Sequence, residues 1–214
     1  IYKGERLVNW DPHFKTAISD LEVENIEVDG YFWHIKYPLK NEENYDYIEQ
    51  DENGKISFKD NRNYISIATT RPETMLGDGA IAVHPDDKRY KNIIGKEVII
   101  PIANRAIPII ADEYPDPNFG SGAVKITGAH DFNDYSVAKK HNLDFFKLMD
   151  ESACLLNEDF IPKKYRGLER FKAREILVEE LDKAGFLLKI EQKKIIQPFG
   201  DRSKVVVEPF LTKQ

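Results

Sequence analysis

The sequence predicts a mixed α/β fold rich in strands, nearer to a compact sheet or barrel with peripheral helices than to a doubly wound sheet. Three observations carry that expectation. Short segments of alternating apolar and polar residues, of which Tyr64-Ile65-Ser66-Ile67-Ala68-Thr69 is the cleanest, read as half-buried strands. Pro101 and Pro108 lie inside a stretch of β-character from Gly95 to Ile110, and proline suits edges and irregular sheets better than the middle of a parallel one. Strands and short helices follow one another in no regular βαβ order, and the one clear amphipathic helix comes late.

Taken in order, Ile1 to about Asp20 reads as an extended lead-in in which Leu7-Val8-Asn9-Trp10 precedes an Asp11-Pro12 stop. Glu22 to Val28 and Tyr31 to Tyr37 read as two strands joined at Asp29-Gly30, a strong two-residue hairpin signal. Asn41 to Asn63 is acidic and polar, and reads as an insertion or flexible loop with a second turn at Asn53-Gly54 and a short strand from Lys55 to Lys59. After the Tyr64–Thr69 strand, Pro72 suits the first position of a short helix capped at Thr70 or Arg71 and stopped at Gly77. Ala80 to Val83 is a further strand, and His84-Pro85-Asp86-Asp87 reads as the start of a helix to Lys91.

A proline-limited loop from Asp112 to Phe119 leads into the stretch with the most chemistry. Gly120-Ser121-Gly122 turns the chain, Ala123 to Thr127 is a short strand, and Asp131 is placed to cap a helix to about Asn142. Gly167 to Gly185 is the clearest helix, with Phe171, Leu177, Val178, Leu181 and Ala184 on one face. Phe186 to Ile190 and Val205 to Val207 read as the last strands.

Composition narrows the function classes. A chain of 214 residues with 41% hydrophobic content can bury a core, and no apolar run approaches the ~18 residues of a membrane span. The start at Ile1, without an initiator methionine or apolar leader, reads as an excised fragment with no secretory signal. Cys154 is the only cysteine, which excludes an internal disulfide and a cysteine-based zinc cage and fits a reducing cytoplasm. The net charge of −6 argues against nucleic-acid binding by the field of the whole protein. Residues 161–194 nonetheless hold ten Lys/Arg against six Asp/Glu, so a polyanion would meet that third first, and a solvated helix face accounts for the same numbers.

Two strand-to-helix turns are candidates for the walls of one cleft. Thr69, Thr70, Arg71 and Thr74 offer hydroxyls and one fixed cation, although threonine and proline occur in such turns for local reasons alone. Lys125, Thr127, His130, Asp131 and Asp134 fall together at a strand end facing a helix start, where α/β folds tend to place ligands. Asp131-x-x-Asp134 also reads as a capping box, and a carboxylate held there suits recognition of an ammonium group. A buried Lys125 would be expensive without a partner. His84 and His130 with their neighbouring aspartates match no metal-ligand spacing, and Gly120-Ser121-Gly122 lacks the nucleophile-elbow pattern, so neither a metal nor a serine triad is expected.

The segments Ala68-Thr69-Thr70-Arg71-Pro72-Glu73-Thr74-Met75-Leu76-Gly77-Asp78, Ala82-Val83-His84-Pro85-Asp86-Asp87 and Gly122-Ala123-Val124-Lys125-Ile126-Thr127, with Ala129-His130-Asp131 and Asn133-Asp134, closely resemble the editing insertion (connective polypeptide 1) of valyl-tRNA synthetases. Leu7-Val8-Asn9-Trp10 with Lys15 to Asp20, and Val207-Glu208-Pro209 with Leu211 to Gln214, resemble the junctions to the synthetase core. The resemblance covers nearly the whole chain. It implies a β-rich, barrel-like editing domain over residues 21–194, with junctions at 1–20 and 195–214, tethered by β-ribbon strands.

The activity it implies is hydrolysis of valine tRNA mischarged with threonine, without a cofactor, in the cytoplasm. The partners it implies are the tRNA 3′ end and the rest of the synthetase, with no membrane. By that resemblance Phe119 stacks on the terminal adenine, Arg71, Lys125 and Thr127 line the ester pocket, and Thr69, Thr70 and Thr74 form the facing wall. Asp134 holds the α-ammonium and Asp131 helps select the threonine side chain, with His130 beside them. The alternative is a tRNA-end binding module that is inactive without the core. Three positions depart from the family pattern: Gly79 in place of a common threonine, Gly128 in place of a common proline, and Asp11 in place of a common cysteine. Gly79 is expected to widen the pocket and Gly128 to loosen the turn before Asp131.

Overall fold

The chain folds as strands divided among four sheets, with two helices at their margins, in a computed structural model that describes residues 5–213. The strand-rich α/β class expected from sequence is the one adopted. No sheet closes into a barrel among the described residues. Ile1 to Gly4 of the expected lead-in, and Gln214, lie outside them.

The strands in order are β1 (Glu5–Asp11), β2 (Thr16–Ile18), β3 (Val23–Pro38), β4 (Tyr45–Gln50), β5 (Ile56–Arg62) and β6 (Tyr64–Thr69). They continue with β7 (Ala80–Val83), β8 (Glu97–Ile100), β9 (Arg105–Ala111) and β10 (Ala123–Ile126), followed by helices α1 (Phe132–Lys140) and α2 (Arg170–Lys183), then β11 (Leu187–Gly200) and β12 (Glu208–Lys213). The sheets run β12-β1-β2, β10-β7-β9-β8, β11-β3-β6 and β4-β5, and β7 with β9 is a parallel pair.

The core lies between the β11-β3-β6 and β10-β7-β9-β8 sheets. Ile35 and Tyr37 of β3, Ile65 and Ile67 of β6, Ile81 and Val83 of β7, and Ile107 and Ile109 of β9 meet there with Leu177 and Leu181 of α2. The alternation read in Tyr64–Thr69 puts Ile65, Ile67 and Thr69 inward. Pro108 sits inside β9 opposite Glu97, and the neighbouring Ile109 N–H donates to the Lys96 carbonyl at 2.8 Å.

Four local expectations are corrected. Asp29-Gly30 is not a turn: β3 runs straight through it for sixteen residues, paired antiparallel with β11 from Gly200 back to Leu187. Gly30 is required there for space. A Cβ on it would stand 2.5 Å from Ile195 Cδ1, which packs across the ladder from β11. The acidic 41–63 segment is an ordered hairpin of β4 and β5 turning at Gly54, where φ is +77°. It is fixed by buried Tyr45 and Tyr47 and by the Arg62 guanidinium, 3.6 Å from the Tyr47 ring centre. Residues 84–95 form successive turns instead of a helix, because the Asp87 carboxylate accepts from the Arg89 N–H and binds its guanidinium, competing with a helical path. At the C-terminal end Val205–Val207 makes only an isolated bridge through Val206 to Phe199, and the strand begins instead at Glu208.

Helix α2 ends as expected at Gly185 (φ +76°), where the N–H groups of Gly185 and Phe186 close on the carbonyls of Asp182 and Leu181. Its buried face is Arg170, Ala173, Leu177 and Leu181, so the apolar stripe is rotated from the one expected and Ala184 is exposed. No described helix is long and apolar enough to cross a membrane.

Because Gly30 and Ile195 compete for one volume, Gly30→Ala is expected to lower stability by about 1–3 kcal/mol in urea unfolding. Ile195→Ala in the same chain should recover part of that loss; additive losses would show that the two side chains do not meet.

Candidate functional site

The site is built where β6 and β10 end side by side. Thr69 closes β6 facing inward, and its Oγ1 accepts the Arg71 N–H at 3.0 Å. Arg71 then caps a 3-10 segment, Pro72–Gly77, with Pro72 at its first position as the sequence suggested. All six residues of that segment are buried. Gly77 serves there for packing, since a Cβ would lie 2.8 Å from Leu148 Cγ.

On the other side β10 turns Lys125 inward, and a buried turn from Thr127 to His130 leads to α1. Asp131 caps that helix, its Oδ1 accepting from Asn133 N (2.8 Å) and Asp134 N (3.0 Å). Asp134, one turn in, folds back so that Oδ2 accepts the Thr127 N–H at 2.8 Å. The helix start and the strand end are thus tied by one carboxylate.

Of the ten residues singled out from sequence, nine line one cavity of about 270 Å³: Thr69, Thr70, Arg71, Thr74, Lys125, Thr127, His130, Asp131 and Asp134. Phe32, Ala68, Tyr114 and Val124 complete its walls. Phe119 is outside it, 62% exposed, with Lys193 Nζ 5.6 Å from its ring and 5.3 Å from the ring of Phe32. A larger cavity of about 600 Å³ shares Thr70, Arg71 and Asp131 and opens beside α2 and the β3-β11 ribbon.

Two clusters of buried charge hold this arrangement. In the first, Lys125 Nζ donates to Thr74 Oγ1 (2.8 Å), to Thr127 Oγ1, and to Asp78 Oδ1 at 3.3 Å. Asp78, fully buried, also accepts from Thr127 Oγ1 (2.6 Å) and from the Tyr37 hydroxyl (2.7 Å). In the second, the Arg71 guanidinium donates to Glu208 and to the His130 carbonyl (3.0 Å), with Glu73 at 3.4 Å. Arg174 grips Glu73 through two bonds of 2.7 and 2.9 Å, and Arg170 lies 3.1 Å from Glu208. Burial works against the charge on Arg71, but Glu208 and Glu73 outweigh it and raise its pKa.

Sequence reasoning missed Asp78, Tyr37, Glu73, Arg174 and Glu208. The cost of burying Lys125 was the available signal that an acidic partner had to exist, and Asp78 closes the threonine-rich motif itself.

The titratable groups facing the cavity are perturbed in opposite directions. Burial, helped by the neighbouring Asp131 charge, pushes Asp134 up to about 7. Burial beside Arg71, Lys125 and Lys147 holds His130 well below its usual range, so its ring is neutral. His130 Nε2 accepts the Leu148 N–H at 2.8 Å, which puts the proton on Nδ1, and Nδ1 has no hydrogen-bond partner among the described residues. Among those residues no group of three or more His, Cys, Asp or Glu is placed to hold a metal ion.

The departures from the family pattern face elsewhere. Gly79 packs against the Asp144 carbonyl, 3.2 Å from where its Cβ would lie, and does not line the cavity. Gly128 lets the turn approach α1, since a Cβ there would stand 2.7 Å from Ala138 Cβ. Asp11 is buried, and its Oδ1 accepts the His13 and Phe14 N–H groups.

The family model for tRNA synthetases class I (I, L, M and V) matches residues 1–212. The chain belongs to the class I tRNA synthetases. Within that family it is 54% identical to the valine–tRNA ligase of Caulobacter vibrioides over 215 residues, covering all of this chain and 24% of the ligase. It is 50% identical to that of Ruegeria pomeroyi over 272 residues, and 48% identical to that of Xanthomonas campestris pv. campestris over 214. In both cases the whole chain is matched, against 27% and 22% of the ligase. The chain therefore spans about a quarter of the length of these class I relatives.

Because Asp134 is buried beside Asp131, its carboxyl carbon should titrate by NMR near pH 7. The midpoint should fall in Asp131→Asn, which keeps the cap and removes the neighbouring charge. An ordinary aspartate midpoint in the unaltered chain would show that water reaches the carboxylate freely.

Proposed function

We propose that this chain is the editing unit of a valyl-tRNA synthetase and hydrolyses the ester of threonine wrongly attached to valine tRNA. Residues 21–194 form the editing unit, and 1–20 and 195–214 its junctions to the synthetase body, which together with the tRNA is its partner in the cytoplasm. The observation that carries the reading is Asp134. It is a buried carboxylate at the end of a small polar cavity, it forms no ion pair among the described residues, and it is supported only by the Thr127 N–H. The cation it lacks is supplied by the α-ammonium of an aminoacyl ester.

The need for such a site is physical. Valyl-tRNA synthetase is itself the standard example of the limit: an apolar pocket rejects isosteric threonine by only about 10², so a second site must recognise the hydroxyl. In the proposed complex the threonyl group enters the 270 Å³ cavity with its ammonium on Asp134. Asp131 and the threonine wall formed by Thr69, Thr70 and Thr74 face its side chain. The ribose and terminal adenine remain at the mouth, beside Phe32 and Phe119.

No side chain here is an activated nucleophile, so a positioned water attacks the ester carbonyl. The carbonyl oxygen gains charge opposite Lys125, the bond to the ribose oxygen breaks, and that oxygen takes up the proton given up by the attacking water as threonine leaves. The protein contributes position and electrostatics, which supply much of the rate in such sites. No cofactor enters this scheme.

The test is deacylation of threonyl-tRNA(Val) and valyl-tRNA(Val) by the chain alone, and by a chimera in which it replaces the matching quarter of the Caulobacter ligase. Selective loss of threonine is expected, reduced at least ~10²-fold in Asp134→Ala because a buried charge partner is removed. Turnover only in the chimera would favour the reading of a binding module that needs the rest of the synthetase. Turnover in neither would overturn both activities.

The pH dependence has a definite sign. Because the Asp134 pKa is raised, the carboxylate that attracts the ammonium exists only above about pH 7, and kcat/KM should fall as the pH drops through that value. Asp134→Asn should lose that inflection; an unchanged profile would exclude Asp134 as the ammonium ligand.

A further inference from the structure

The Lys125 ammonium has three N–H bonds, and all three are already engaged: by Thr74 Oγ1, Thr127 Oγ1 and Asp78 Oδ1. A substrate oxygen can reach it only by displacing one of them. The contact to Asp78 is the longest, at 3.3 Å, and Asp78 alone among the three acceptors is held by further donors from elsewhere in the fold. The Tyr37 hydroxyl of β3 fixes Oδ2 at 2.7 Å, and Thr127 Oγ1 donates to Oδ1 at 2.6 Å. Asp78 itself is fully buried and does not line the cavity.

We propose that Asp78 is a positioning residue of the editing site. It holds Lys125 aimed at the cavity wall, and it gives up its own contact when the ester carbonyl arrives. This rests on the deacylase reading above.

The chemistry follows from the geometry. Withdrawing an ammonium from water is costly unless a counter-charge stays close, and Asp78 is the only carboxylate in an ion pair with Lys125 among the described residues. The groups around the pair have been fixed by the fold. Tyr37 on β3, Lys125 on β10 and Arg105 on β9 face Asp78, while Asp134 on α1 and His130 in the preceding turn face Lys125. Burial raises the pKa of Tyr37 well above its usual value, so at neutral pH its hydroxyl remains a donor to the carboxylate. The exchange costs little in bonds: the substrate oxygen takes the N–H that Asp78 releases, and Asp78 keeps its Tyr37 and Thr127 donors.

The test compares Asp78→Asn, Lys125→Met and the double variant, in the chain or the chimera, whichever turns over, using threonyl-tRNA(Val). Asp78→Asn should lower kcat by about 10- to 100-fold at pH 8 while KM changes little. In the Lys125→Met background the same substitution should cost almost nothing. Equal losses in both backgrounds, or a loss carried by KM with kcat unchanged, would overturn the proposal.

Should Asp78→Asn fail to fold, Tyr37→Phe removes one donor from Asp78 and leaves its charge. It should give a smaller loss that also vanishes without Lys125, and a loss that persists would count against the proposal. The ¹⁵N resonance of the Lys125 ammonium gives a readout independent of turnover. It should shift in the Asp78 variant, where a carboxamide replaces the carboxylate that accepts one of its N–H bonds. If that shift is seen but neither form hydrolyses the ester, the editing reading fails and the pairing stands; if the ester is hydrolysed and the shift is absent, the reverse holds.

Discussion

Taking one ammonium out of water organises the centre of this molecule. Isolated burial of Lys125 would cost several kcal/mol, and the fold meets that cost with a carboxylate, two threonine hydroxyls and a tyrosine drawn from three separate stretches of chain. Each partner is thereby fixed by the same charge. β3 contributes Tyr37, the buried 3-10 segment contributes Thr74, the residue after it is Asp78, and β10 contributes Lys125 itself. The cavity wall is rigid because moving any one of these would leave a charge or a hydroxyl unsatisfied in the interior.

The second charged cluster fixes the opposite wall in a related way, although it is more open to water. Arg71 stands between Glu208 and Glu73, which are gripped in turn by Arg170 and Arg174 of α2. The short segment between Arg71 and Asp78 is thus held at both ends by ion pairs, and its apolar residues Met75 and Leu76 are sunk into the core between them. A carboxylate left without such compensation, Asp134, is then conspicuous within the same cavity.

What the sequence revealed was what local chemistry decides. The alternation of Tyr64–Thr69, proline at the start of the 3-10 segment, the Asp131 cap and the glycine stop of α2 depend on neighbours in sequence, and each is found in the structure. The Asp29-Gly30 turn failed because its dipeptide signal was overruled from β11, more than 160 residues away, whose Ile195 needs the space a side chain would fill. The same distance hid the site's supports. Asp78 lies 47 residues from Lys125 and 41 from Tyr37, and no spacing rule links them. Only the energetic objection to a lone buried lysine pointed toward it. The length of β11 was obscured for another reason: Lys189 to Lys194 are exposed, so no inward face marks the strand.

Pairing of β1 with β12 sets Glu5 opposite Lys213, so the described chain departs and returns through adjacent rungs of one ladder. A body whose two leads emerge side by side can be spliced into a host polypeptide as a detour, because the host's own backbone has only a short gap to bridge and loses little closure entropy. In such a splice the ribbon of β3 and β11, paired from Val23 to Ile35, would act as a boom whose length and register set the detour's distance and bearing.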